Sequence, residues 1–383
     1  MKKLFLLVLC LTLVLSCSKD SGKNYSIEVI DGIKVIKNTN IPSIEDLVIS
    51  AKEIFRIEGI DDSNEGTARE MVWPRFLDTD SKGNIFIIDM GSSSVKKFDK
   101  NGKFIKSFGS KGTGPGELDR PFMIALLNDI VFVAGSSARR ISKFDTDGNY
   151  ISEFLIKGTL PRYLQPLGKD KFICFKMLFH QFEKGEEQTF NLVITDSQFQ
   201  DISTILEWRK RFDPASNDFL DQFTPYAVGA DKIFAAENSE DLYKIKVFDF
   251  SGQLLYIIQK DYHKIPFNKF ELDELNSTLE KTEKKFGAQE YQPIKSTYKK
   301  AINGMYYDKE GRLFVASSVK RNQENRYDFL VDVFKDGIFL KKIKLDIAKG
   351  HDFTKIHDEK IFFRGNRIYY INEAEAVIKV FEY

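Results

Sequence analysis

The chain has 383 residues, 42% of them hydrophobic and 13% aromatic, including 34 Phe and 15 Tyr. That composition supports a packed core and excludes intrinsic disorder, and the aromatic share favours pleated sheet over helix. The 57 basic and 56 acidic residues nearly cancel, which excludes the marked basic excess of a nucleic-acid binder.

Residues 1–16 read as a secretory signal peptide. Lys2 and Lys3 precede an apolar run from Leu4 to Leu15, and small Ser16 follows; the pattern is a charged n-region, a short h-region and a small residue at the cut. The run is shorter than the roughly 20 residues that cross a bilayer. Val14-Leu15-Ser16-Cys17 resembles a bacterial lipobox, which implies a diacylated Cys17 at the mature N-terminus and a membrane partner reached through that lipid. Residues 17–25 are then the lipidated cysteine and a polar tether. The expected place is the cell envelope, as an outer-membrane lipoprotein facing the periplasm or the cell surface. Without Lys2 and Lys3 the mature chain has one basic residue fewer than its 56 acidic ones. Cys10 leaves with the signal and Cys17 takes lipid, so Cys174 stands alone and no intrachain disulfide forms. It sits within Phe172-Ile173-Cys174-Phe175, where a small buried hydrophobe fits better than a nucleophile.

Residues 26–49 read as a hairpin and a crossover. Ile27 to Ile36 alternate around Asp31-Gly32, a dipeptide that suits a two-residue turn. From residue 50 to 383 the sequence predicts one propeller. Its first unit has strands at 75–79, 85–89, up to Phe98, and 103–108, separated by Asp80-Ser81-Lys82-Gly83-Asn84 and Asp99-Lys100-Asn101-Gly102. Asp bonds the local backbone in such turns and Gly supplies positive φ. The third-strand ending returns at Asp145, Asp196 and Asp249, at successive intervals of 46, 51 and 53 residues counted on from Asp99, then at Phe334 and Phe381. Six four-stranded units at that period predict an all-β, six-bladed β-propeller. The last unit stops at its third strand, and Ala51 to Ile57 is expected to supply the fourth and close the ring. Between the fourth and fifth units, residues 260–300 hold one helical insertion. Asn268 is its cap, with Glu271 three residues on, Leu272, Leu275, Leu279 and Phe286 on one side, Lys284 and Lys285 near its end and Gly287 after it.

Lys82 to Asp89 and Phe98 to Ile105 resemble NHL repeats, and Gly109 to Leu118 is similar to a loop of bacterial six-bladed propeller lipoproteins of the TolB-like superfamily. The resemblance spans about residues 26–383, is sharp in the first two units, and implies fold and export without transferring catalytic residues. Arg140 matches an arginine of the NHL repeat; the first unit has Ser94 there.

The chemistry-bearing motifs are few. The 109–116 loop lacks the Gly-Lys-Ser/Thr of a phosphate loop and leads to a strand, so it reads as a connection between blades. His180, His263, His351 and His357 form no metal-ligand spacing, no nucleophile elbow is present, and no cofactor is implied. Asp78, Asp308, Glu237 and Asn238 could face the channel, as a hydrolase or lyase with a channel metal would require. The innermost strands begin Trp73-Pro74-Arg75-Phe76, Arg120-Pro121-Phe122, Leu160-Pro161-Arg162-Tyr163 and Thr224-Pro225-Tyr226, on the face that carries the long connections 109–120, 176–188, 207–222, 258–301 and 316–328. Arg75, Arg120 and Arg162, with Arg209, Lys210 and Arg211 nearby, therefore make a candidate basic funnel for an anionic glycan or peptide, arginine's planar fork suiting carboxylates. Structural ion pairs with Glu117, Asp119, Glu207 and Asp213 are the alternative use of the same charges. The function that follows is a non-catalytic envelope scaffold that binds a ligand or protein and no nucleic acid, with the channel-metal enzyme as the alternative.

Overall fold

The computed structural model describes residues 23–59, 70–136, 139–182, 185–211, 224–285, 293–294, 296–347, 361–373 and 375–383. The signal segment and Cys17 lie outside the described residues, as do Asp213, Phe286, Gly287, His351 and His357.

Three strands precede the first blade: β1 (Tyr25–Ile30), β2 (Ile33–Asn38) and β3 (Lys52–Glu58). Blade 1 is β4 (Pro74–Thr79), β5 (Ile85–Asp89), β6 (Ser94–Phe98) and β7 (Phe104–Phe108). Blade 2 is β8 (Pro121–Leu127), β9 (Ile130–Gly135), β10 (Arg140–Asp145) and β11 (Tyr150–Leu155). Blade 3 is β12 (Arg162–Leu167), β13 (Lys171–Phe182), β14 (Gly185–Asp196) and β15 (Asp201–Arg211). Blade 4 is β16 (Tyr226–Val228), β17 (Ile233–Ala236), β18 (Tyr243–Phe248) and β19 (Leu254–Lys260), followed by the helix α1 (Lys269–Lys285). Blade 5 is β20 (Ile302–Tyr307), β21 (Arg312–Ser317), β22 (Phe329–Lys335) and β23 (Ile338–Leu345). Blade 6 is β24 (Ile361–Arg364), β25 (Arg367–Asn372) and β26 (Val377–Glu382).

Each blade is an antiparallel meander whose first strand lies innermost, and the six first strands neighbour one another around the central axis. The expected closure is present: β3 pairs antiparallel with β26, setting Ile57 opposite Ile378 and Phe55 opposite Val380. This joins the first part of the chain to the last and removes an exposed sheet edge. The core is distributed as apolar clusters between adjacent blades. Ile57, Ile378 and Val380 of blade 6 pack with Leu77, Ile85 and Phe98 of blade 1 across the closure. Phe86 and Ile88 of blade 1 pack with Val131 and Phe144 of blade 2.

The hairpin β1–β2 turns through Asp31 and Gly32, with φ of 51° and 79°, the left-handed pair that a two-residue turn requires. It is not a free appendage. Strand β2 pairs in parallel with β19, so blade 4 becomes a six-stranded sheet. Buried Asn38 ends β2; its Nδ2 donates to the carbonyls of Gln259 and Gly337, both at 3.0 Å, and its Oδ1 accepts from Phe339 N at 2.8 Å. One amide thus ties blade 4 to blade 5. The chain then follows the outer strand of blade 5, Ser43 N donating to Leu340 O at 3.0 Å, before it enters blade 6.

The repeated aspartates explain the tight turns. Oδ1 of Asp80, Asp99, Asp196, Asp249 and Asp308 accepts from the backbone N–H groups two and four residues on, and that of Asp145 from the one four residues on, at 2.8–3.0 Å. Each carboxylate closes its own loop in place of a backbone partner.

Two expected connections are strands instead. Segment 176–188 is mostly the β13–β14 hairpin, and β15 carries 207 to 211. Phe175, Phe190 and Trp208 hold these strands together with ring centroids 5.6–5.9 Å apart, a cross-strand aromatic stack.

Candidate functional site: the central channel

The inner strands surround a cavity of about 550 Å³. Helix α1 stands beside its mouth because the sequence caps it there. Asn268 Oδ1 accepts from Glu271 N at 3.0 Å, and Glu271 Oε2 accepts from Asn268 N at 3.1 Å, a reciprocal capping box. Leu275, Leu279, Ile294 and Phe267 form the apolar side of the insertion. Glu271 is also buried against the channel and pairs with Lys299 Nζ, which donates to Val319 O at 2.7 Å as well.

The lining is basic and aromatic. Arg75, Arg162, Lys299, Lys300, Arg321 and Arg364 line it, against Glu271 as the sole carboxylate among the lining residues. Four of these cations are engaged. Arg364 Nε donates to Asp78 Oδ1 at 2.6 Å, Lys299 pairs with Glu271, Lys300 donates to Asn238 Oδ1, and Arg321 Nη1 donates to the carbonyls of Asn325 and Asp328.

The other two are the arginines that the strand-start pattern singles out. Arg75 lies 5.6 Å from the Trp73 ring and places Nη1 3.7 Å from Met90 Sδ, while its buried Nε has no hydrogen-bond partner. Desolvation lowers its pKa from the ordinary value, against the opposing pull of Tyr163; a guanidinium stays charged regardless. Arg162 is exposed at the start of β12 and has no ion pair among the described residues. Between them stands Tyr163, whose φ of 53° is uncommon for a bulky residue. The Tyr226 hydroxyl holds that backbone by donating to the Tyr163 carbonyl. The rings of Phe76 and Tyr163 meet edge to face at 6.1 Å, Phe76 meets Phe362 at 6.1 Å, and Tyr306 stacks on Phe363 at 4.9 Å. The channel therefore offers flat apolar walls with guanidinium groups at its mouth.

The remaining members of the expected funnel are not brought together here. Arg120 has a φ of 47°, which takes it out of strand geometry; it is exposed and lies outside the cavity lining. Arg209 is on the outermost strand of blade 3, where Nη2 pairs with Glu207 Oε1 at 3.0 Å, the structural ion-pair use of that charge. Lys210 and Arg211 belong to the same strand, Arg211 paired by backbone register with Glu187. Arg364 and the lysines of the insertion escape the sequence pattern because no proline precedes them.

The residues that could have faced a channel metal are placed elsewhere. Asp78 is buried, accepting from Leu126 N at 2.8 Å as well as from Arg364. Asp308 closes a turn on the opposite face and pairs with Arg312 Nε at 2.6 Å. Glu237 pairs with Lys244 at 2.9 Å, and Asn238 accepts from Lys300. None of the four lines the cavity, and among the described residues no three His, Cys, Asp or Glu side chains gather as a metal site would need. Cys174 is fully buried, and desolvation pushes its thiol up to about 12, so it is no nucleophile. No helix among the described residues is long and apolar enough to cross a membrane.

Arg140 has a structural role. It is buried, and its guanidinium donates to the carbonyls of Thr113 at 2.6 Å and Glu117 at 3.1 Å and to Glu153 Oε2 at 3.0 Å. With Gly114 N donating to Glu117 Oε2 at 2.7 Å, this fixes the glycine loop as the connection from blade 1 to blade 2.

Several solved structures are similar to this chain. A Bacteroides fragilis protein described as exported is similar at 13% identity, with 91% of this chain and 98% of that chain covered and a TM-score of 0.45. Virginiamycin B lyase from Staphylococcus aureus is similar at 11% identity, covering 82% and 95%, with a TM-score of 0.40. The PQQ-bound aldose sugar dehydrogenase of Streptomyces coelicolor is similar at 10% identity, covering 87% and 97%, with a TM-score of 0.43. No curated protein matches the chain. The DUF5128 family, described as 6-bladed beta-propeller, matches residues 78–310, more than half of the sequence, and the chain belongs to that family.

Proposed function

We propose that this protein is a non-catalytic lipoprotein of the cell envelope, related to NHL-repeat propellers, that binds an anionic, carboxylate-bearing glycan or peptide at the mouth of its channel. The observation that carries the reading is the contrast among the lining cations. Arg364, Lys299, Lys300 and Arg321 are already bound by the protein, whereas Arg75 keeps a buried Nε without a partner and Arg162 has no ion pair among the described residues. Both guanidinium groups line the channel, and a carboxylate can meet such a group bidentately. Aromatic walls beside the guanidinium groups suit the apolar face of such a ligand. Lys2, Lys3, the apolar run and Cys17 support the anchor.

The test is calorimetric titration of the mature domain with oligogalacturonate and with glutamate-rich peptides. Arg75→Met with Arg162→Met is expected to weaken binding at least about tenfold, the loss of one good charged contact. Equal affinity in parent and variant, or no binding of either acidic probe by the parent, sinks the reading. For the anchor, radiolabelled palmitate is expected in the parent and absent from Cys17→Ser.

A further inference from the structure

Exposed apolar side chains gather where the chain enters the fold. Ile27 and Val29 of β1 are 51% and 58% exposed, and Ile41 and Ile44, in the segment after β2, are 57% and 44% exposed. Ile27 and Val29 lie two residues apart and so share one face of the hairpin. The register adds Ile36 and Lys34 of β2 to that face, whereas the other face is polar, with Lys37 Nζ 2.6 Å from Glu28 Oε2. Ile36 lies against Gly337, so the apolar face turns toward blade 5. There Ser43 N and Ile44 N both donate to Leu340 O, at 3.0 and 3.2 Å. Asn24 joins the two pieces: its carbonyl accepts from Thr39 N at 3.0 Å, and its Nδ2 donates to Pro42 O at 2.7 Å. The apolar surface thus flanks residue 24, where the chain leads back to Cys17.

Strand β1 is the outermost of the six-stranded sheet, and such edges usually carry charge or proline instead of bare Ile and Val. Residues 17–24 extend at most about 29 Å. A lipid on Cys17 therefore keeps this face beside the bilayer, at an effective concentration in the millimolar range where even a weak contact is occupied. An apolar face rimmed by polar residues suits a lipid interface. Exposed Lys34, paired with Val29 across the hairpin, can lay its stem on that surface and hold its ammonium at headgroup level. Exposed Asp31, Glu45 and Asp46 offset Lys23 and Lys34, so apolar burial and not net charge makes the contact.

We infer that the face formed by Ile27, Val29, Ile41 and Ile44 rests on the lipid surface of the membrane. The inference depends on the lipid anchor proposed above. Because β1 and β2 extend blade 4 outward beyond β19, the ring meets the bilayer with its rim, and the channel opens sideways along the membrane.

The mature chain would be coupled through the Cys17 thiol to a maleimide lipid, in vesicles of phosphatidylethanolamine and phosphatidylglycerol whose brominated acyl chains quench tryptophan on contact; Cys174 is buried and stays unreacted. With the parent's emission subtracted, Val29→Trp is expected to lose most of its signal on brominated relative to unbrominated lipid. Ile105→Trp, at a 45% exposed site on the outer strand of blade 1, is expected to keep its signal. Adding Ile27→Ser and Ile41→Ser to Val29→Trp is expected to restore emission at an unchanged melting temperature, and raised salt to leave the quenching in place. The coupling is chemical, so the result does not depend on lipidation in the cell, which the palmitate label tests separately. Equal quenching at both positions, none with Val29→Trp, or quenching lost in high salt would overturn the inference. So would sedimentation showing that the uncoupled chain pairs through this face and that Ile27→Ser with Ile41→Ser separates the copies.

Discussion

Arg140 and Cys174 show how one side chain can be legible in type and still need the fold for its role. The arginine is readable from its repeat position, but that it gathers carbonyls of the preceding loop depends on a glycine segment more than 20 residues upstream. Arg140→Lys keeps the charge and loses the fork. It is expected to cost about 2–3 kcal/mol in denaturant unfolding, because hydrogen bonds to a buried charge are lost and carbonyls are left bare. Cys174 makes a prediction about alkali. Its folded thiol is held at about 12 against an ordinary 9.0, so above pH 9 the unfolded chain loses this proton while the folded chain keeps it. The stabilising difference is fully present below pH 9 and is lost as pH rises toward 12, with a slope approaching about 1.4 kcal/mol per pH unit. Burial also raises the phenols of Tyr226 and Tyr243, adding to the loss at higher pH. Cys174→Ala is expected to flatten the slope between pH 9 and 10, measured by urea midpoints across that range.

Among the elements, the turns, the first blade and the start of the insertion were written locally, so they could be read: an Asx turn needs only the aspartate and four following residues, and a capping box only four positions. Blade 3 was less legible. Its strands run on past the usual length because Phe175, Phe190 and Trp208, from three different strands, stack, and no local window contains that contact. For the same reason Arg209 belongs to a blade's outer edge although the sequence places it near the funnel. The insertion separates two kinds of stabilisation. Asn268→Ala removes a cap and is expected to cost about 1 kcal/mol. Glu271→Ala removes the reciprocal half of that cap and strips buried Lys299 of its carboxylate, and about 3–5 kcal/mol is expected. Equal losses in thermal unfolding would show that the ion pair across the channel wall contributes nothing.

For the molecule as a whole, the six-fold period and the missing final strand were enough to specify a closed ring, because the geometry of a propeller leaves one sheet incomplete unless another segment fills it. The parallel docking of β2 on β19 was not legible, since a parallel register has no turn to announce it. Deleting residues 50–57 is expected to abolish the cooperative thermal transition. The single substitution Ile57→Ala, at a site 1% exposed, is expected to cost about 2–5 kcal/mol and to leave the transition cooperative. A deletion that melts like the parent would refute closure by β3.

The closing strand also sets a schedule. Synthesis proceeds from the N-terminus, so β3 emerges long before its partner β26, with the strands of five blades made between them. For that whole interval a strand with apolar Phe55 and Ile57 waits unpaired, and the edge of the β1–β2 hairpin that receives β19 waits likewise. Nascent chains of this protein therefore carry two open sheet edges that the finished molecule never displays, and they depend on whatever shields such edges until the last strand is delivered.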